Sequence, residues 1–282
     1  MPHFVDKGQN FEKYLVSEYF KHGSINKVFY FHHFDLPISY AGYDRVLTKY
    51  GVIKSAGPNS KLTESLGILS LVADYKLSLE KIYERYASPG LLVSTNTLHR
   101  ILHYTRLGLT RRQGTALIIT HHNKPNMYLV GKDQSLTNTA LGQKGNLSLP
   151  MGHSKIGENP RESILRVLQQ EVFTNLVMEN SFPFHLIPDH PKPLMYINIA
   201  DIRVSVYHIE LDGLPSFSSF KLSNLRFEKL SDISGLKTRP GILEIIQNYK
   251  KLSLFPEPSI TPEYNSNLNS NLFALAEVHS SG

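Results

Sequence analysis

The chain has no cysteine among its 282 residues. Disulfide bonds and thiolate metal sites are therefore excluded, and the composition suits a reducing cytoplasm. No apolar run approaches the roughly 20 residues that a membrane-spanning helix needs, and no basic head with an apolar stretch marks a signal peptide. We therefore expect a soluble, cytoplasmic protein that does not enter a membrane. Hydrophobic residues make up 41% of the chain, which is enough to bury a sizeable core.

Acidic residues are missing from one long stretch. None occurs between Glu84 and Asp133, whereas seven Lys and Arg do. The net charge of +6 lies entirely in the N-terminal part of the chain. Residues 1–113 hold 15 Lys and Arg against 9 Asp and Glu, and the remainder holds 15 of each. Such a stretch suits a polyanion such as nucleic acid. A solvated basic face is the alternative interpretation.

Hydrophobic spacing before residue 107 predicts three short amphipathic helices, at Leu62–Tyr75, Leu79–Tyr86 and Ser94–Arg106. The apolar face of the third contains Leu98, Ile101, Leu102 and Thr105. This layout resembles the winged-helix, helix-turn-helix domains of transcriptional regulators. The resemblance implies that the polar face of the third helix, which contains no acidic residue, contacts DNA together with the two arginines that follow it. These residues are Thr95, Asn96, His99, Arg100, His103, Arg106, Arg111 and Arg112. The alternative is a plain helical domain with a solvated polar face.

A second motif follows a change to short strands at Thr115. Glu158 follows Gly152 after five intervening residues, and Arg166 follows Glu158 after seven. The spacing continues to Glu171 and resembles the Nudix box, a loop and helix that grip a metal-bound diphosphate. Flanking strands, a hairpin and a closing helix extend the resemblance over roughly residues 112–250. It implies an α/β/α sandwich with a mixed sheet.

Most of the family's metal-binding carboxylates are replaced in this box. The family places acids at the positions of Val167, Gln170 and Glu171, which share one helix face because they are spaced i, i+3 and i+4. Mg²⁺ and Mn²⁺ prefer several carboxylate oxygens, whereas Val offers no ligand atom and Gln only a neutral one. If the protein is active, the resemblance implies Mg²⁺ or Mn²⁺ held by Glu171 and Glu158 as the catalytic residues. Otherwise we expect no cofactor.

Three interpretations of the box remain open. In the first, an inactive domain binds a nucleotide-like ligand through Gly152, Glu158, Arg166, Gln170 and Glu171 without cleaving it. In the second, a Nudix-type pyrophosphohydrolase of nucleoside diphosphate derivatives has rebuilt its metal site from residues such as His153, Glu210, Asp212 or Glu228. In the third, the fold serves only for protein contacts.

Together, these patterns predict an α+β protein with a helix-turn-helix (winged-helix-like) domain followed by a Nudix-type α/β/α sandwich. The predicted parts are a helical N-terminal extension (1–60), the helix-turn-helix-like domain (61–111), the Nudix-like domain (112–252) and a disordered polar tail (253–282). The corresponding function is a DNA-binding regulator that senses a nucleotide-type ligand. Regulators of this class commonly dimerise to read two half-sites, so a homodimer is also expected.

Overall fold

The computed structural model describes residues 9–55, 60–86, 91, 93–134, 145–213, 216–255 and 258–280, without the side chains at 9–10, 60–63 and 275–280. The helices are α1 (Gln9–His22), α2 (Ile25–Phe31), α3 (Tyr40–Lys49), α4 (Ser60–Tyr75), α5 (Leu79–Tyr86), α6 (Thr95–Arg106), α7 (Pro160–Glu171), α8 (Thr174–Met178), α9 (Leu230–Ser234), α10 (Ile242–Leu252) and α11 (Asn267–Ser280). The strands are β1 (Arg112–His121), β2 (Met127–Asp133), β3 (Leu147–Ser148), β4 (Met151–Ser154), β5 (Met195–Ile199), β6 (Ile202–Leu211), β7 (Leu222–Lys229) and β8 (Glu263–Asn265).

The strands form two sheets. The larger has the order β4-β1-β6-β5-β8, and the smaller has the order β3-β2-β7. β1 is antiparallel to β4 but parallel to β6, and β5 is antiparallel to β6 but parallel to β8. The predicted α+β class with a mixed sheet is therefore confirmed, and this arrangement is consistent with a Nudix fold.

Helices cover both faces of the larger sheet. Side chains alternate along β1, so Ala116 and Ile118 face one core whereas Leu117 and Ile119 face the other. The first core is completed by α4–α6, α10 and α11, and the second by α1–α3, α7 and α8. This arrangement is an α/β/α sandwich in which the N-terminal helices contribute to both outer layers.

The three helices predicted before residue 107 are present. α6 starts where Ser94 caps it by accepting a hydrogen bond from the backbone N–H of Thr97 at 3.3 Å. Its predicted apolar face is buried. However, α4–α6 share a core with the sheet, and the chain runs from α6 directly into β1. Within the described residues, α6 is therefore followed by a sheet strand and by no separate wing, and the division at 111/112 stays a prediction.

Within the segment expected to be a disordered tail, 253–282, the described residues include β8 and α11. β8 extends the sheet beside β5, and Leu268 and Leu272 of α11 are 7% and 1% exposed. Asn269 accepts a hydrogen bond from the backbone N–H of Ala200 at 2.6 Å and donates one to the Ala200 carbonyl oxygen at 3.1 Å. The polar composition concealed two leucines spaced i, i+4 and an asparagine that satisfies buried backbone groups.

The N-terminal extension predicted at 1–60 contains α1–α3, which pack on the α7 side of the sheet. None of the helices in the described ranges combines the length and the apolar character needed to cross a membrane.

Candidate functional site

A buried arginine holds the loop between β4 and α7. Arg166 is 3% exposed, and its terminal guanidinium nitrogens donate to both carboxylate oxygens of Glu158. One of them also donates to the carbonyl oxygen of His153 at 3.0 Å. Burial alone would raise the pKa of Glu158, but the hydrogen bonds and charge of Arg166 outweigh burial, and the pKa is lowered. Glu158 thus fixes the loop, and its oxygens are occupied by Arg166.

α7 presents the altered box positions to the interior. The helix begins where the Asn159 side chain accepts a hydrogen bond from the N–H of Arg161 at 2.9 Å, with Pro160 in the first turn. Val167 is 2% exposed, and a Cβ placed on Gly152 would lie 3.2 Å from its Cγ2. In place of a carboxylate, position 167 therefore carries an apolar side chain packed against the glycine that opens the box.

The other two altered or retained box residues, Gln170 and Glu171, both lie beside the ammonium group of Lys221. Lys221 Nζ donates to Gln170 Oε1 at 2.7 Å and lies 3.7 Å from Glu171 Oε1. The amide nitrogen of Gln170 donates to Ser55 Oγ at 3.1 Å. A cation supplied by the chain itself therefore stands beside the side chains whose equivalents in the family hold a metal ion.

Glu171 lies in a strongly desolvated position. Burial, reinforced by the nearby charge of Asp133, raises its pKa to about 7, although Lys221, Arg239 and the N–H of Met151 oppose the shift. The Met151 N–H lies 3.5 Å from Glu171 Oε2, which is too long for a strong hydrogen bond. Glu171 can therefore gain or lose a proton near neutral pH.

A cavity of about 80 Å³ opens beside Glu171. Besides Glu171, its polar wall contains Lys221, Asp133 and Arg239. Asp133 and Arg239 form an ion pair at 3.1 Å. Its apolar wall comes from the sheet and from Leu66 of α4. Since one water needs about 10–15 Å³ by this kind of measure, the space fits a group the size of a phosphate but not a whole nucleotide.

A smaller cavity of about 10 Å³ shares wall residues with the first. Gly152 and Glu171 line both cavities, whereas Gln170 and Arg166 line only the smaller one. Glu158 lines neither. The structure thus brings four of the five proposed ligand-binding residues to these cavities and places the fifth in the loop brace.

The residues beside Glu171 do not fit a divalent ion. The two carboxylates among the described residues that line the cavity, Glu171 and Asp133, each face a cationic side chain. Within the described ranges, one group of three side chains has metal-binding geometry, the exposed His122, Glu210 and Asp212. His122 is seven residues along from Thr115, which pairs with Gly152, so about 23 Å of extended chain separates this group from the start of the box. The Glu228 carboxylate is paired with Arg226.

The polar face of α6 is largely open to solvent. Asn96, Arg100, His103 and Arg106 are exposed, and Thr95 is half-buried. His99, by contrast, pairs with Glu80 at 2.8 Å, so the expectation that this face meets no opposing acid is wrong at that position. The face thus carries exposed arginines and histidines, and one of the histidines, His99, already has an acidic partner.

The two arginines that follow α6 lie at or just before the start of a sheet strand and not in a wing. Arg112 forms an ion pair with Asp201, which is 4% exposed, and it lies in β1. Arg111 is exposed, with its guanidinium 4.6 Å from the centre of the Tyr104 ring. Arg112 is thus used inside the protein, because the chain enters the sheet immediately after α6.

No protein-family model matches the chain, and no curated protein matches it. Among solved structures it is similar to the MutT protein from Methanosarcina mazei Go1, with 13% identity and a TM-score of 0.37 over 51% of this chain and 96% of that one. It is also similar to the NUDIX domain of Shewanella oneidensis NrtR, complexed with ADP ribose, with 12% identity and a TM-score of 0.38 over 62% of this chain and 99% of that one. A NUDIX hydrolase from Nitrosomonas europaea is similar as well, with 13% identity and a TM-score of 0.38 over 55% of this chain and 80% of that one. The Nudix-like interpretation of this chain depends on the spacing of the box and the order of the sheet.

Three residues of the Nudix-like site have no signal in the sequence. Asp133 ends β2, Lys221 precedes β7 and Arg239 precedes α10, and none of them belongs to the box. The β2–β7 pairing sets Asp133 opposite Leu222, the neighbour of Lys221. Strand register brings Asp133 and Lys221 to Glu171, and Arg239 reaches the site through its ion pair with Asp133. Register depends on pairing between distant segments, which no local pattern records.

Proposed function

We propose that this protein is a DNA-binding regulator whose Nudix-like domain binds a nucleotide-type anion without hydrolysing it. The observation that supports it best is the ammonium of Lys221, which contacts Gln170 and lies beside Glu171. Diphosphate hydrolysis of the Nudix type needs a divalent ion to neutralise phosphate charge and activate a water. A resident ammonium supplies fixed positive charge at that place but cannot lower the pKa of a bound water in the same way.

Ligand binding in this proposal uses the larger cavity. A phosphate group entering it meets Lys221 and Arg239, both favourable partners for an anion. Asp133, which is paired with Arg239, and Glu171 when ionised would both oppose that group, but a pKa of about 7 makes proton uptake by Glu171 easy near neutral pH. The rest of a nucleotide would lie outside, because about 80 Å³ holds only its phosphate end.

The first experiment separates binding from hydrolysis. The purified protein is incubated with Mg²⁺ or Mn²⁺ and a panel of dinucleotides and sugar nucleotides, and we expect no turnover above the protein-free blank. Binding of the same panel, measured by calorimetry with a chelator present, should weaken at least tenfold in Lys221→Gln and stay unchanged in Lys250→Gln, which alters an exposed lysine. Metal-dependent turnover that disappears in Glu171→Gln would instead establish the alternative, a hydrolase with a rebuilt metal site.

The DNA part of the proposal depends on the exposed cations of α6. A protein that neutralises phosphates releases counterions, so its affinity falls steeply with added salt. Each phosphate contact removed should lower the slope of log affinity against log salt by about 1. We therefore expect Arg100→Gln with Arg106→Gln to lower the slope by about 2, whereas Arg45→Gln, an exposed arginine on α3, leaves it unchanged. Duplex binding with no salt dependence, or an unchanged slope in the double variant, would remove α6 from the proposal.

A further inference from the structure

A groove distinct from the cavity beside Glu171 is formed by the end of α4, the start of α5, α6 and α11. Its volume is about 400 Å³, and none of the described residues in its wall lines the cavity beside Glu171. Small-molecule sites commonly have volumes of about 300–1,000 Å³. The groove is therefore large enough for a whole ligand, whereas the cavity beside Glu171 holds only a phosphate-sized group.

The floor of the groove is apolar. It is built from one side chain of each surrounding helix, and these four are at most 7% exposed: Val72, Leu79, Leu102 and Leu272. Leu77, on the turn between α4 and α5, adds an apolar side chain that is 37% exposed. An apolar floor inside a concave wall favours a ligand that carries hydrocarbon.

The rim of the groove is cationic. Lys76 stands at the end of α4, and His103 and Arg106 stand on α6. Among the described residues that line the groove there is one acid, Glu80, and it is paired with His99 at 2.8 Å. Two permanent cations therefore face one carboxylate that already has a partner, which favours an anionic group at the rim.

We infer that this groove binds an amphiphilic anion, a free small molecule with an apolar body and one carboxylate or phosphate group. The apolar body covers the leucine and valine floor, and the anionic group meets Lys76 and Arg106 at the rim. Nucleic acid lying along α6 would leave this floor uncovered, and a flat membrane surface does not enter a recess between four helices. The site is separate from the proposed nucleotide site and does not depend on it.

Octyl phosphate is a suitable probe, because its two halves can be tested separately as inorganic phosphate and octanol. Calorimetric titration, with no DNA present, should show octyl phosphate binding at least tenfold more tightly than either half. In the series from butyl to octyl phosphate, each added methylene should tighten binding about fourfold while it still reaches the floor. Equal affinity for phosphate and octyl phosphate would mean attraction by surface charge alone and would overturn the inference.

Matched variants locate the site. Arg106→Gln should weaken octyl phosphate binding about tenfold, whereas Arg100→Gln, an exposed arginine on the same helix outside the groove, should change it less than twofold. Both side chains are exposed, so neither change threatens folding. Equal losses in the two variants, or full affinity in Arg106→Gln, would overturn the assignment. Binding to phosphatidylserine vesicles without binding to octyl phosphate would do the same, since it would indicate a membrane surface.

Discussion

Lys221 Nζ lies 3.7 Å from Oε1 of Glu171, the last carboxylate of the box. The ammonium does not fully compensate for desolvation, since the pKa of Glu171 is still raised from 4.5 to about 7. The buried pair therefore makes the stability of the fold depend on pH, and the sign of this dependence can be worked out.

Between pH 4.5 and 7, the unfolded chain releases the Glu171 proton while the folded protein keeps it. The contribution of Glu171 to stability is thus fully present below pH 4.5 and is lost as pH rises to about 7, a change of about 3 kcal/mol. Glu171→Gln removes this group, so the free energy of unfolding of the variant should gain on the wild type as pH rises. Urea unfolding of both proteins, followed at about pH 5, 6, 7 and 8, measures the difference in their free energies of unfolding. A profile parallel to the wild type would contradict the burial of an ionisable Glu171, and Glu179→Gln, at an exposed position, serves as the control.

The loop brace gives a second prediction. Arg166→Leu leaves the buried carboxylate of Glu158 without its guanidinium partner, and such changes typically cost about 3–5 kcal/mol. Lys49→Leu, which breaks an exposed pair with Glu12, should leave the denaturation midpoint close to that of the wild type. Chemical denaturation of both variants provides the comparison. Equal midpoints would mean that Arg166 does not support the loop.

The C-terminal helix gives a third prediction. Leu272 is 1% exposed between α11 and the helices beneath it, so Leu272→Ala should lower the free energy of unfolding by about 2–5 kcal/mol. Leu254→Ala, at a position that is 74% exposed, should change it by less than about 0.5 kcal/mol. Amide hydrogen exchange should also show protection across 267–280. If neither difference appears, the segment is a disordered tail after all.

A fourth prediction links the two uses proposed for α6. His99, His103 and Arg106 belong to the face proposed to contact DNA, and they also line the groove. Octyl phosphate should therefore weaken duplex DNA binding, and the apparent DNA dissociation constant should rise in proportion to ligand concentration once the groove is filled. Fluorescence anisotropy of a labelled duplex measures this competition. Independent binding of the two ligands would place the DNA contacts elsewhere on the protein.

The local structure near α6 could be predicted from the sequence because its causes are local. The spacing of Leu98, Ile101, Leu102 and Thr105 sets the buried face, and Ser94 supplies the cap. The spacing of Glu158 and Arg166 could be recognised for the same reason, but the sequence suggested that both bind a ligand, whereas the structure pairs them with each other. The tail could not be predicted, because the burial of Leu268 and Leu272 depends on α4 and α6 being in place first.

The sequence by itself determined that the box lacks two of its acids, and with them the ordinary means of holding a divalent ion. Tertiary structure decided what stands there instead. Lys221 reaches Gln170 and Glu171 only because the register of β7 against β2 sets its neighbour Leu222 opposite Asp133. Tertiary structure also decided that Arg112 pairs with the buried Asp201, and that the cations of α6 border an apolar groove. Such contacts join residues far apart in the chain, and the physical reason they form is the packing of the whole core, which no local pattern records.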